Sequence, residues 1–529
     1  MTTEWERIAA AKQRKLAAAI PAEWRIPDDL LPTGPNVLSF PQQSGWFTAH
    51  ELAITNAGAC EILAQTRSGA WTAEEVTRAF CKRAAAAHQL TNCLSEILFD
   101  DAVRTAQALD AQLAETGTPR GPLHGLPVSL KDNFHIAGTD ATLGFTALVD
   151  RPSACNSILT DVLRAAGAVL FVKTNVPTAM MIAETVNHVT GRTCSPRDRR
   201  LAAGGSSGGE AALLACGGSA LGVGTDIGGS LRIPAALTGG LFALRPSVGR
   251  FPNSATQSAL AGQESVLSVN GPLAPSLDAL ELFAAAVVGS QPWRADPKCV
   301  PLPWRPVPAQ QRLRVGVLWH DGLVRPTPPV ARALAETVDA LKRAGHDVVD
   351  WAPDGHDDAV ELLDRFFLAD GGQSVQALLA RTGEPMRPEM ARYATAADPG
   401  VYALWQLHAR RNALQLAYLA RWNAAGLDAL LCPVCPFAAV PHGKFRHVGY
   451  TGVFNVLDYA CLAFPCAATA DQARDVPDTR PPLSDLDRLV QLEYDPAAVH
   501  AMPVSLQLVA RRLDEERLLM IARRVLDAL

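Results

Sequence analysis

The sequence predicts an α/β protein built on a largely covered sheet. From Gly121 on, short apolar runs of strand length alternate with segments of helical patterning, and the same alternation returns from Arg314. Composition agrees: of 529 residues, 48% are hydrophobic and 19% charged, the balance of a chain that buries a core.

Residues 5–19 and 49–67 are alanine-rich and helical in character, with the proline-marked stretch 21–41 between them. Residues 1–70 are therefore expected to form a helical wrap on the same domain. Thr72-Ala73-Glu74-Glu75 has the form of a capping box and starts an apolar-periodic helix that is expected to run through Ala84. Next come a strand at 126–130, a helix at 157–166 and a strand at 168–172. The second unit reads as strand 314–319, helix 329–344 and strand 347–351. In that helix Val330, Leu334, Val338 and Leu341 share one face, and Gly345 sits where a terminating glycine belongs. Residues 291–311, with six prolines, read as a surface connection, and the polar stretch 471–487 as a loop. No repeat of solenoid period is present, so 71–529 is expected to be one domain.

The formal net charge of −5 provides no basic surplus for phosphates, which argues against nucleic acid as a partner. Met1-Thr2-Thr3-Glu4-Trp5-Glu6-Arg7 lacks the basic start and apolar stretch of a signal peptide, and no run approaches the roughly 18 to 20 apolar residues of a membrane span. Eleven scattered cysteines read as reduced thiols, hence a cytoplasmic protein. Cys432 and Cys435 form a C-x-x-C, but without a matching second pair they read as buried small hydrophobes, not as a zinc site.

Three segments carry the chemistry. Gly204-Gly205-Ser206-Ser207-Gly208-Gly209-Glu210 places six small residues together before a helical run, which lets backbone approach a ligand or another segment closely. It is no phosphate loop, because no Lys-Ser or Lys-Thr follows the glycines. It does satisfy G-x-S-x-G, the nucleophile elbow, whose preceding strand and downstream acid and histidine are the features to look for. The second segment, residues 224–234, sets Gly228 and Gly229 immediately before Ser230, a pattern that lets successive N–H groups converge as an oxyanion hole requires. The third is Lys131, which closes the apolar run 126–130. A buried lysine there becomes a base if its pKa falls from about 10.4 by roughly three units, within what desolvation achieves. Asp132 need not oppose this, since adjacent strand residues point to opposite faces.

Gly125-Leu126-Pro127-Val128-Ser129-Leu130-Lys131-Asp132-Asn133, the double-serine glycine loop and Gly224 to Pro234 together resemble the amidase signature family. The likeness extends through Lys173 to Pro177, Leu244 to Arg250, Asn270 to Ala274, Thr451 to Pro465 and Pro503 to Leu508, so it covers most of the chain from about residue 70. The resemblance implies a central mixed twisted β-sheet covered on both faces by α-helices. It further implies a Ser–cis-Ser–Lys triad of Ser230 as nucleophile, Ser206 as proton relay and Lys131 as base, with a cis peptide before Ser206. The N–H groups of Ile227, Gly228, Gly229 and Ser230 would form the oxyanion hole. Met180, Gly205 and Thr225 would contact substrate, and Asp226, Arg232 and Ser207 would support the loops.

The activity implied is hydrolysis of a small-molecule amide through an acyl-enzyme, with ester or carbamate cleavage as a side activity and no metal or organic cofactor. A stand-alone amidase similar to fungal acetamidases and fatty-acid amide hydrolases fits better than a partner-dependent amidotransferase subunit or a non-catalytic binding relative, and a homodimer would be unsurprising. Phe366, Phe367, Tyr450 and Phe454, from segments 366–377 and 436–454, are candidate apolar walls of the acyl site.

Overall fold

The computed structural model describes residues 2–529. In chain order the strands are β1 Leu94–Ile97, β2 Pro127–Lys131, β3 Val169–Thr174, β4 Val186–Asn187, β5 Gly191–Arg192, β6 Leu221–Asp226, β7 Phe242–Arg245, β8 Val269–Ala274, β9 Arg314–Val317, β10 Asp347–Asp350, β11 Ala429–Pro433, β12 Ala460–Thr469 and β13 Pro503–Ala510. Eleven of them form one mixed sheet in the order β1-β3-β2-β6-β8-β7-β12-β13-β11-β9-β10, and β4 and β5 make a separate hairpin. Parallel pairing joins β3 to β2, β2 to β6, β11 to β9 and β9 to β10. The remaining neighbours are antiparallel.

Side chains alternate across a strand, so a sheet covered on both faces puts sequence neighbours into different cores. That is what the central strands do. Leu244 and Leu462 belong to the large core with the helices Leu277–Gly289, Pro328–Arg343 and Glu515–Ala528. Their neighbours Ala243 and Ala463 belong to a second core with the helices Gly208–Ala215 and Arg232–Thr238.

The expected elements of both α/β units are present within one to three residues. Two helical readings needed correction. The stretch 49–67 is two helices, Ala49–Asn56 and Ala59–Ser68, because Ala57 turns extended and Gly58 opens the second. The capping box at Thr72 is formed, with Glu75 N–H to Thr72 Oγ1 at 3.1 Å and Thr72 N–H to Glu75 Oε2 at 2.8 Å. Its helix continues past Ala84 to Thr91, because Ala85, Ala86, Ala87 and Leu90 are also buried. The loop at 471–487 ends sooner than expected, since Ser484 caps a helix at Asp485–Glu493.

The N-terminal helix Glu4–Ala18 lies on the body through Lys12, which is only 2% exposed and bonds Glu96 at 2.5 Å and Asp140 at 2.7 Å. Gln13 adds a bond to the Val189 carbonyl at 2.8 Å. Cys432 and Cys435 are both buried. Among the described residues no helix is long and apolar enough to cross a membrane.

Candidate active site

Three adjacent parallel strands, β3, β2 and β6, end at Thr174, Lys131 and Asp226. The carboxyl ends of parallel strands are where α/β sheets place their sites, and the chemistry-bearing residues gather here. Lys131 is fully buried. Its Nζ lies 2.7 Å from Ser206 Oγ and 2.7 Å from Thr225 Oγ1. Burial pulls the ammonium pKa down from 10.5 to about 7, against the opposing charges of Asp226, Glu210 and Asp132. Asp132 lies in the turn just past β2 and is engaged elsewhere, taking the Leu143 N–H at 2.7 Å and the Thr142 hydroxyl at 3.3 Å.

Ser206 follows a cis peptide at Gly205–Ser206. The glycine run exists because other backbone presses against it: a Cβ on Gly205 would sit 2.5 Å from the Ile182 carbonyl oxygen and 2.7 Å from the Glu184 nitrogen. Ser207 joins the two serine-bearing loops, its N–H donating to the Ser230 carbonyl at 3.2 Å while its hydroxyl reaches the Thr225 carbonyl at 3.3 Å.

The nucleophile-elbow reading fails here. Residues 203–207 carry no strand. His356, His408 and His447 bond Tyr418, Ser265 and Asp321, not either serine.

The loop after β6 is organised by Asp226 and Arg232, both fully buried. Asp226 Oδ1 accepts from Gly229 N–H at 2.8 Å, Arg232 Nη2 at 3.0 Å and Asn455 Nδ2 at 2.9 Å. Its Oδ2 accepts from Leu231 N–H and Arg232 Nε, each at 3.1 Å. Burial alone would raise this carboxyl, but the Arg232 guanidinium and these donors hold it well below the usual carboxylate range. Arg232 in turn reaches Asn455 Oδ1 at 2.7 Å, the Thr451 carbonyl at 3.1 Å and Gln507 Oε1 at 3.1 Å. Thr451 Oγ1 donates to the Gly228 carbonyl at 2.7 Å. Gly229 has φ +132°, and a side chain there would run into Thr451 Oγ1.

Two expected roles change at this point. The Gly229 N–H points at Asp226 instead of toward an incoming oxyanion, so Ile227, Gly228 and Ser230 are left as the loop donors without a protein acceptor among the described residues. Thr225, expected at substrate, is buried with its hydroxyl on Lys131.

Beside Ser230 lies a chamber of about 60 Å³. Met180, Gly205, Ile227 and Gly228 line it, as do Met181, Ile182, Ile233, Phe367, Arg392 and Val448. Of the aromatic walls expected, only Phe367 reaches it. Phe366 and Phe454 are packed in the neighbouring core, and Tyr450 is buried with its hydroxyl on the Val324 carbonyl at 2.5 Å. Ala179 and Met180 both adopt positive φ, which turns the Met180 segment into the chamber.

Glu210 had no assigned role. It is fully buried, with Oε2 accepting from Ser129 Oγ at 2.6 Å and Oε1 from Thr174 Oγ1 at 2.9 Å. It thus clips the helix that follows Ser206 to β2 and β3. Burial raises its carboxyl to about 8, partly offset by the Ser129 and Thr174 bonds and by Lys131. A glutamate on a small-residue helix was the available signal.

The family model described as Amidase matches residues 75–519. Acetamidase of Emericella nidulans is 41% identical, over 99% of this chain and 98% of that protein. Acetamidase of Aspergillus oryzae is 40% identical with the same coverage. Among solved structures, fatty acid amide hydrolase superposes with a TM-score of 0.95 at 33% identity, over 99% of this chain and 95% of the other. The chain belongs to the amidase signature family and is an amide hydrolase.

Proposed function

We propose that this enzyme cleaves the C–N bond of small carboxylic amides with Ser230 as nucleophile, Ser206 as relay and Lys131 as base. The carrying observation is the buried Lys131 Nζ, 2.7 Å from Ser206 Oγ and near pH 7 in its titration, on the loop that Ser207 ties to Ser230. Ser230 gives its proton to Ser206 Oγ as Ser206 gives its own to neutral Lys131, and Ser230 Oγ bonds the carbonyl carbon. The carbonyl π pair moves onto oxygen, where the free loop N–H groups stabilise it. Collapse breaks the C–N bond, and the departing nitrogen takes the proton back through Ser206. Water then enters by the same relay and releases the acid. Ester and carbamate bonds pass through the same kind of intermediate and are expected side substrates.

A short acyl group fits the chamber. At about 10–15 Å³ for each water-sized group, 60 Å³ holds roughly four to six of them. The name acetamidase borne by two relatives agrees with this size. The exposed free thiols Cys60 and Cys155 suit a cytoplasmic location.

The direct test is ammonia release from acetamide by the wild type, S230A and S206A. Loss of at least a thousandfold in S230A, with the fold intact by circular dichroism, is expected; an active S230A sinks the assignment.

A further inference from the structure

The small chamber does not stand alone. A second cavity of about 320 Å³ also has Phe367 in its wall, together with Leu260, Phe366, Ala369, Leu404 and His408. Among the described residues Phe367 alone belongs to the walls of both. Its ring lies against the oxyanion loop, since a Cβ on Gly228 would stand 3.7 Å from Phe367 Cε2 and Cζ. The side chain is 5% exposed and packed in a core with Leu363 and Phe366, so it is a fixed partition and not a solvated flap. Leu260, Phe366, Ala369 and Leu404 give the outer cavity its apolar walls. Its polar lining is Gln263, Glu264, Ser265, Asp370, Ser374 and His408, of which Ser265 Oγ and His408 Nε2 are 2.7 Å apart and Asp370 accepts the Gly372 and Ser374 N–H groups.

We propose that Phe367 sets the acyl-length limit of the enzyme, and that the cavity behind it is a latent acyl subsite able to take a medium-length hydrocarbon chain once the ring is removed. The inference rests on the small-amide reading above and deepens it. Ammonia leaving from a primary amide needs no apolar wall, whereas a hydrocarbon acyl chain does, and the chamber walls at Ile227, Ile182 and Ile233 are hydrocarbon. A chain that outgrows the small chamber would meet the ring, and close-packed interiors do not yield to an added methylene without cost.

The experiment measures kcat/KM for acetamide, butyramide, hexanamide and octanamide with the wild type, F367A, F367L, A369W and F367A/A369W. The readout is the hexanamide-to-acetamide ratio within each protein. The expected ratio rises at least tenfold in F367A, by a smaller factor in F367L, and returns toward the wild-type value in F367A/A369W, where tryptophan refills the outer cavity. F367L keeps the test open if the alanine variant does not fold. An unmoved ratio in a folded Phe367 variant overturns the proposal, as does a wild type that already prefers octanamide. A gain seen with N-hexylacetamide instead of hexanamide overturns the acyl assignment. If no amide is turned over through Ser230, the functional reading fails; an unchanged ratio with Ser230-dependent turnover refutes only the partition.

Discussion

Replacing Lys131 by methionine removes the proposed base while leaving an unbranched chain in its buried slot. An exposed lysine with a pKa of 10.5 would be neutral at pH 7 about once in 3,000 molecules, whereas a value of about 7 makes half of them neutral. At about 1.36 kcal/mol per unit, burial therefore costs the ammonium roughly 5 kcal/mol, and this is what makes a lysine usable as a base at neutral pH. Ammonia release from acetamide, followed from pH 5 to 10, is the assay. Wild-type kcat/KM should rise about tenfold per unit below pH 7 and level off above it. K131M should lie about 10²–10⁴ lower on the plateau and show no break near 7. A break near 7 that survives in K131M would refute the reasoning, because another group would then own it. Stability gives an independent sign. Between about 7 and 10.5 the unfolded chain holds the Lys131 proton and the folded chain does not, so the wild type gains on K131M as pH rises through that window, by up to about 1.36 kcal/mol per unit. Urea titrations at pH 7 and 9 read it out.

Two further outcomes follow from the same geometry. Glu210 is raised from 4.5 to about 8, so between these values the folded chain holds a proton that the unfolded chain has lost. E210Q should therefore gain on the wild type as pH rises from 5 to 7.5 in urea unfolding, and a constant gap would show that Glu210 is ionised in the fold. G229A puts a side chain into Thr451 Oγ1 at φ +132° and disturbs the loop that presents the Gly228 and Ser230 N–H groups. Its kcat on acetamide should fall about 10²–10³-fold; a loss under threefold would mean that the loop is not the electrostatic element.

Lys131, Ser206 and Ser230 are legible as candidates because each sits in a contiguous motif whose residue types fit one chemistry. The two α/β units were legible because their apolar runs have strand length and their helices carry a clean 3.6-residue period. What contiguity does not convey is which partner a side chain takes in space. Thr225 sits one residue before Asp226 in a loop motif, yet pairing between β2 and β6 brings its hydroxyl to Lys131. Gly229 has the residue type of an oxyanion donor, but a carboxylate three residues earlier captures its N–H. The positive φ of Ala179 and Met180 leaves no mark in the sequence, since neither residue is one that usually signals it. The helix after Thr72 runs on beyond Ala84 without a clear mark in the sequence, because an alanine-rich turn gives little hydrophobic contrast even when buried.

The second half of the chain supplies no member of the proposed triad, yet the loop that carries Ser230 is held by it. Thr451, Asn455 and Gln507 lie more than 200 residues beyond the loop they hold, and they reach it through Arg232 and the Gly228 carbonyl. A buried ion pair such as Asp226–Arg232 is weak evidence for stability, because desolvation offsets much of its attraction. Its value here is geometric. With both oxygens of Asp226 engaged by guanidinium, amide and backbone donors, the loop is held in place, and the N–H groups proposed to bind the oxyanion are fixed before substrate arrives. Preorganisation of this kind is what makes oxyanion stabilisation effective, since no reorientation is required as charge develops. The long sheet joins the two halves of this device: β6 carries Asp226, β13 carries Gln507, and the helix Gly449–Leu457, which leads into β12, carries Thr451 and Asn455.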